Sequence, residues 1–182
     1  LREYRQSDNL NKQNKELATL LLERKAIKFG DFMLTSGKHS TYYVDIKNAC
    51  TEPAVLHLIV DMLKTRIVEH KVAGVELGSV PILVSVAYSL NIPYVIKRKE
   101  IKHGTGQLNI GDINPGDCID VIEDVVTTGN SVLDCVKYLR EKGAVVSRAF
   151  CIVDREEGGR KLLEENGVEL IPLLTISEIR SG

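Results

Sequence analysis

The run VIEDVVTTGNS, residues 121–131, concentrates more chemistry than any other stretch of this chain. Two adjacent acids, Glu123 and Asp124, follow an apolar strand pattern, and a turn of hydroxyl residues and glycine then opens into a helical pattern. The backbone N–H groups of Thr127, Thr128, Gly129, Asn130 and Ser131 would lie at a helix start, where they have no intrahelical acceptor and the helix dipole is positive. Such a turn suits a phosphate. Gly129 permits close approach of the backbone and φ values that other residues resist. The acids would repel that phosphate, so they call for a group with hydroxyls to donate and positive charge to be stabilised. A ribose offers both, through its 2′ and 3′ hydroxyls and through the oxocarbenium character of C1 when a leaving group departs. The alternative is a plain turn with two solvated acids before a capped helix, and the complete order of strand, acid pair, hydroxyl–glycine turn and helix argues against it.

Two further groups carry charge in suggestive places. Arg98, Lys99, Lys102 and His103 lie beside Gly104 and Gly106 in a stretch with little apolar content, which reads either as a solvated basic loop or as a contact for an anion. Arg155 follows a strand pattern and precedes Glu156-Glu157-Gly158-Gly159. Its guanidinium is a rigid fork that matches a carboxylate or a planar pyrimidine edge. An ion pair with Glu156 or Glu157 is the competing reading.

The elements that must position these residues follow from periodicity. Residues 9 to 28 predict an amphipathic helix through Leu17, Leu20, Leu21 and Ile27, broken by Gly30 and Asp31. A Ser36-Gly37-Lys38 turn then feeds a β-rich run around Tyr42, Tyr43 and Val44. Thr51 is a candidate helix cap, Pro53 fits a first turn, and Val55, Leu58, Ile59, Met62, Leu63 and Ile67 recur at helical spacing. Strands are expected at 72–77, 92–96, 118–122, 145–153 and 168–174, with helices at 80–90, 131–143 and 158–166, and a polar, glycine-rich stretch from Lys97 to Gly116. Short apolar strands alternating with helices imply an α/β fold with a parallel sheet covered on both faces.

A chain of 182 residues can bury a core as one domain without disulfides or metal. With a net charge of −1, the composition does not suggest a nucleic-acid or membrane binder. No apolar run is long enough to span a bilayer, and the polar N-terminal run lacks a signal-peptide core. Cys50, Cys118, Cys135 and Cys151 form no CxxC pair and read as reduced thiols, consistent with a cytoplasmic setting. His39, His57, His70 and His103 show no metal-ligand spacing.

The segment at 121–131 resembles the phosphoribosyl pyrophosphate (PRPP) motif of type I phosphoribosyltransferases. Within that family the chain is similar to the orotate phosphoribosyltransferases, in FMLTSGKHSTYYVDIK (32–47), GVELGSVPI (74–82), RKEIKHGTG (98–106) and DREEGG (154–159), in that order and over roughly residues 17 to 180. The resemblance implies a type I phosphoribosyltransferase fold: a mostly parallel central sheet flanked by helices, an N-terminal helix and hood in 1–50, a PRPP-binding core in 51–182, and a mobile loop. It implies transfer of phosphoribose from PRPP to orotate, giving orotidine monophosphate (OMP) and pyrophosphate in pyrimidine biosynthesis. PRPP would be held by Arg98, Lys99, Lys102, His103, Glu123, Asp124, Val125, Val126, Thr127, Thr128, Gly129, Asn130 and Ser131, and orotate by Thr127 and Arg155. Lys102, His103 and Asp124 would be the catalytic residues, with either Lys102 or His103 as the main one of the loop. Magnesium would be held mainly by PRPP, with no direct protein ligand, and would activate the leaving group. A homodimer with active sites shared through the basic loop is also implied. The sequence departs from the family pattern at Thr35, Leu77 and the adjacent Lys102-His103. The rival readings are a purine phosphoribosyltransferase and a non-catalytic regulator that senses PRPP or nucleotides.

Overall fold

The computed structural model describes residues 2–33, 39–99 and 108–181, with side chains from residue 10 onward. Ser36, Gly37, Lys38, Lys102 and His103 lie outside the described residues. The chain runs α1 (Arg2–Glu23), β1 (Ile27–Met33), β2 (His39–Val44), α2 (Ile46–Ala49), α3 (Pro53–Lys64), β3 (Lys71–Val75), α4 (Val80–Leu90), β4 (Tyr94–Lys97), β5 (Asn109–Ile110), β6 (Ile119–Val126), α5 (Asn130–Glu141), β7 (Arg148–Asp154), α6 (Gly159–Glu165), β8 (Glu169–Thr175) and α7 (Ile176–Ser181).

Six strands form one sheet in the order β5-β4-β3-β6-β7-β8, parallel throughout except for the β4–β5 pair. The central strands are buried on both faces because successive side chains alternate between two cores. Val72, Ile122, Phe150 and Ile152 pack on one face with Val55, Ile59 and Met62 of α3 and Ile82, Leu83 and Val86 of α4. Ala73, Val121, Ala149 and Cys151 pack on the other face with Val132, Cys135, Val136 and Leu139 of α5 and Leu163 of α6. Each fully buried aliphatic or aromatic side chain contributes about 1.5–3 kcal/mol, so these two layers fix the sheet. The chain leaves β3 toward β4 by α4 on the first face, and leaves β6 toward β7 by α5 on the second. The strand order therefore reverses between β3 and β6, and the crevice beyond their carboxyl ends is where such sheets bind ligands.

β1 and β2 form a separate antiparallel hairpin. Here the structure corrects the sequence reading. The first helix ends at Glu23, and Ile27, expected on its apolar stripe, begins β1 and is buried there. One apolar residue fits either period, and the turn at Lys25, whose φ is 55°, decides between them. Gly30 and Asp31 do not break a helix; they sit in β1, where the register shifts between Phe29 and Phe32 as a bulge. Thr51 does not cap α3: its hydroxyl donates to the Asn48 carbonyl at 2.7 Å, while Glu52 takes the cap position and Pro53 the first turn. Ile67 lies beyond the end of α3 yet is buried. The stretch after Lys97 contains β5, and α7 closes the chain after β8; neither was expected, because both are too short for periodicity to register.

Candidate functional site

β6 runs on past the expected end at residue 122 and carries both acids inside the strand, with Glu123 paired to Cys151 and Val125 to Val153 of β7. Glu123 is buried and Asp124 is half-buried. Glu123 Oε1 accepts from the Asp124 N–H at 3.1 Å, its Oε2 accepts from the Ser131 hydroxyl at 3.4 Å, and Asp124 Oδ1 accepts from the Val125 N–H at 2.9 Å. Burial, reinforced by the neighbouring Asp124 charge, pushes the Glu123 carboxyl from 4.5 up to about 8.

Directly after the acids, residues 125–132 enclose a cavity of about 150 Å³, several times the ~30 Å³ share of one water. Of its lining residues Val126 is buried, Val125 and Thr127 are half-buried, and Thr128, Asn130 and Ser131 are exposed. None of the backbone N–H groups of residues 127–131 donates to an acceptor among the described residues. Gly129, with φ 81°, is the residue before α5. The turn is closed from below by Gly159: its N–H donates to the Thr127 carbonyl at 3.0 Å, and a Cβ there would stand 2.5 Å from Val126 Cγ1 and 2.6 Å from the same carbonyl. Residues 127–131 thus line a cavity backed by Gly159, with their backbone N–H groups unpaired among the described residues.

The loop after β3 meets the acids from the side. Gly78 passes so close to Asp124 that a Cβ would collide with its carboxylate. Glu76, two residues earlier, accepts the Lys99 N–H at 2.7 Å, and the Arg98 N–H donates to the Leu108 carbonyl at 2.8 Å. Arg98 and Lys99 are therefore placed at the same end of the sheet as the acid pair. Lys102 and His103 lie outside the described residues, so their placement is not part of this geometry.

Arg155 follows β7, and its N–H donates to the Val126 carbonyl at 2.9 Å, next to the turn. Its guanidinium lies over the Tyr42 ring, 4.7 Å from the centroid, donates through Nε to the Tyr42 hydroxyl at 3.2 Å, and pairs through Nη2 with Glu157 at 2.8 Å. The ion pair with Glu157 is thus formed, as one of the two sequence readings required. The sequence did not single out Ser40, Glu76, Gly78 or Lys47 for the site. Lys47 is exposed on α2, 3.3 Å from Asp45; desolvation, the largest influence, lowers its pKa, but the hydrogen bond and charge of Asp45, with smaller help from Tyr43 and Asp124, leave it raised. A lysine two residues beyond an acid in a β-to-helix junction carries no spacing signal of its own.

Among the described residues, no three acids, histidines or cysteines cluster as metal ligands. The two acids can supply only part of the six oxygens that magnesium prefers. No described helix is long and apolar enough to cross a membrane. All four cysteines are free, with Cys118 exposed and the others buried.

Comparison with known proteins agrees with this geometry. The phosphoribosyl transferase domain family matches residues 48–166. An orotate phosphoribosyltransferase of Thermoplasma acidophilum is 59% identical over 160 residues, covering 88% of this chain and 94% of the relative. The crystal structure of orotate phosphoribosyltransferase from Aeropyrum pernix superposes with a TM-score of 0.80 at 32% identity, covering 91% of this chain and 96% of that one. The Mycobacterium tuberculosis orotate phosphoribosyltransferase in complex with PRPP gives a TM-score of 0.75 at 26% identity, covering 92% and 99%. With the acid strand, the open turn and these likenesses in agreement, the chain belongs to the phosphoribosyltransferase family and, within it, to the orotate phosphoribosyltransferases.

Proposed function

We propose that this chain transfers the 5-phosphoribosyl group from PRPP to a ring nitrogen of orotate, releasing OMP and pyrophosphate. The observation that carries the reading is the continuity of β6 into the turn, which sets two acids beside a row of unpaired N–H groups. The N–H groups of Thr127 to Ser131 hold the 5′-phosphate, and Val125 and Val126 shape the floor under it. Glu123 and Asp124 accept the ribose hydroxyls and stabilise the positive charge that develops at C1 as pyrophosphate departs, an electrostatic contribution specific to the transition state. Arg155 and Thr127 read orotate. Arg98, Lys99, Lys102 and His103 bind the pyrophosphate and oppose its growing charge. Magnesium held mainly by PRPP would supply Lewis-acid activation of the leaving group, with Glu123 and Asp124 the acids beside it. Orotate brings its own nitrogen nucleophile, so no covalent enzyme intermediate is needed.

The reading extends to one phosphoribosyltransferase domain with a hood in 1–50 and a core in 51–182, to a cytoplasmic enzyme with free thiols, and to a homodimer whose basic loops serve one another's sites. An ultraviolet assay for orotate consumption with PRPP and magnesium, run beside hypoxanthine, xanthine and adenine, tests it. Orotate should be consumed alone of the four. Turnover of a purine would favour the purine enzyme instead, and absence of any turnover with ligand-dependent nucleic-acid binding would favour a regulator. Mixing inactive Lys102→Ala and Asp124→Asn chains should restore some activity through mixed dimers, and no rescue would remove the shared site.

A further inference from the structure

Tyr42 is buried at the junction of three segments that are far apart in the sequence. Two guanidinium groups lie over its ring, Arg155 at 4.7 Å and Arg180 of α7 at 5.1 Å from the centroid. Its hydroxyl accepts the Nε–H of Arg155 at 3.2 Å and can donate to Glu157 Oε1 at 3.0 Å or to the Arg155 carbonyl at 3.2 Å. Ser40 adds a longer contact to Arg155 Nη2 at 3.4 Å, and its hydroxyl donates to the Tyr42 carbonyl at 2.7 Å. Arg180 is itself held, donating through Nη2 to the Thr41 hydroxyl at 2.8 Å and lying over the Phe29 ring at 5.7 Å.

Nε and Nη2 of Arg155 are thereby occupied, and Nη1 meets no acceptor among the described residues. A free arginine loses about 2 kcal/mol of side-chain rotamer freedom when a ligand immobilises it. Here that ordering is already in place before ligand arrives, which is how preorganisation raises affinity. We propose that Tyr42 is the positioning residue that sets Arg155 for the base, and that Arg180, by holding the same ring, makes the C-terminal helix α7 part of the active-site scaffold. The inference rests on the reading of Arg155 as the orotate contact. In this proposal Tyr42 and Arg180 act through Arg155, the first by holding its guanidinium and the second by holding the Tyr42 ring.

The test compares Tyr42→Phe, Tyr42→Leu and Arg180→Ala with the wild type, each checked for an unchanged circular dichroism spectrum. Losing the hydroxyl should raise the KM for orotate about 3- to 10-fold, as expected for one hydrogen bond to a charged group, with kcat and the KM for PRPP within about twofold. Arg180→Ala should raise the orotate KM about 2- to 5-fold, the scale of a partly exposed cation–π contact, and Tyr42→Leu should exceed both single effects. A second readout needs no substrate: the Arg155 Nε–H proton should exchange slowly in the wild-type NMR spectrum and rapidly in Tyr42→Phe. If wild-type enzyme consumes orotate while its KM is unmoved in Tyr42→Phe, or rises in step with that for PRPP, the positioning role is wrong and the function stands. If the wild type does not consume orotate, the reading of the base site falls and the inference falls with it.

Discussion

The proposed phosphate half of the site and the proposed base half are built by different means. The phosphate half is one continuous run, residues 123–131, and its working groups are backbone N–H donors whose directions follow from a strand, a turn and a helix in succession. The base half is gathered from β2 (Ser40 and Tyr42), the end of β7 (Arg155 and Glu157) and α7 (Arg180), and the groups it would offer are side chains. A backbone site tolerates exchange of side chains but not of space. A side-chain site tolerates little exchange of its anchors. Asp124 stands between the two halves, at the strand position that would face the ribose.

The sharpest way to break this contrast is at that boundary. Asp124→Asn should lower kcat by about 100-fold, the loss expected when one preorganised electrostatic contact to developing charge is removed, with the melting temperature almost unchanged; steady-state kinetics and calorimetry together decide it. Next in size, Arg155→Ala should reduce kcat/KM for orotate about 10- to 100-fold, since a charged hydrogen bond to substrate carries about 1.5–3 kcal/mol. Orotate should then no longer protect the protein against thermal unfolding, and equal protection in both proteins would refute the assignment.

The phosphate half should fail in the opposite manner. Gly159→Ala puts a methyl group against Val126 and the Thr127 carbonyl, and overpacking of this kind costs about 1–3 kcal/mol. Chemical denaturation should show that loss, and the KM for PRPP should rise with it. Glu123 offers a probe by pH. Its carboxyl holds a proton up to about 8 when folded against 4.5 for the ordinary side chain, so folding takes up a proton within that window and stability falls as pH rises from 4.5 toward 8. Glu123→Gln should flatten that slope in melting curves of the ligand-free protein, and an unchanged slope would place its origin elsewhere. Smallest of all, Thr128→Ala removes an exposed side chain while leaving the N–H in place, so the KM for PRPP should move by less than about threefold, within the usual effect of surface substitutions.

The same contrast explains which parts were legible before the fold was known. The strand–acid–turn–helix order at 121–131 could be read directly, because every constraint on it is local: apolar run, hydroxyl and glycine turn, helix start. The alternation of strands and helices from residue 72 onward could be read for the same reason, to within a few residues at the ends. Ile27 could not be assigned, since its apolar character serves a helix stripe and a strand face equally. The extension of β6 through Glu123 and Asp124 was missed because acids usually signal a strand end, whereas pairing with Cys151 and Val153 of β7 keeps them in the ladder.

What the sequence determined by itself was the order of strand, acid pair, turn and helix on which the proposed phosphate and ribose contacts rest, because those groups lie within nine consecutive residues and backbone geometry follows from local residue type. What only the tertiary structure decided was the company each of them keeps. The placement of Gly78 against Asp124, the backing of the turn by Gly159, and the stacking of Arg155 and Arg180 on Tyr42 all join positions separated by 30 to more than 130 residues. Such contacts are set by how strands order themselves in a sheet and how the β1–β2 hairpin packs beside it, which burial of the two hydrophobic cores dictates and no local pattern records.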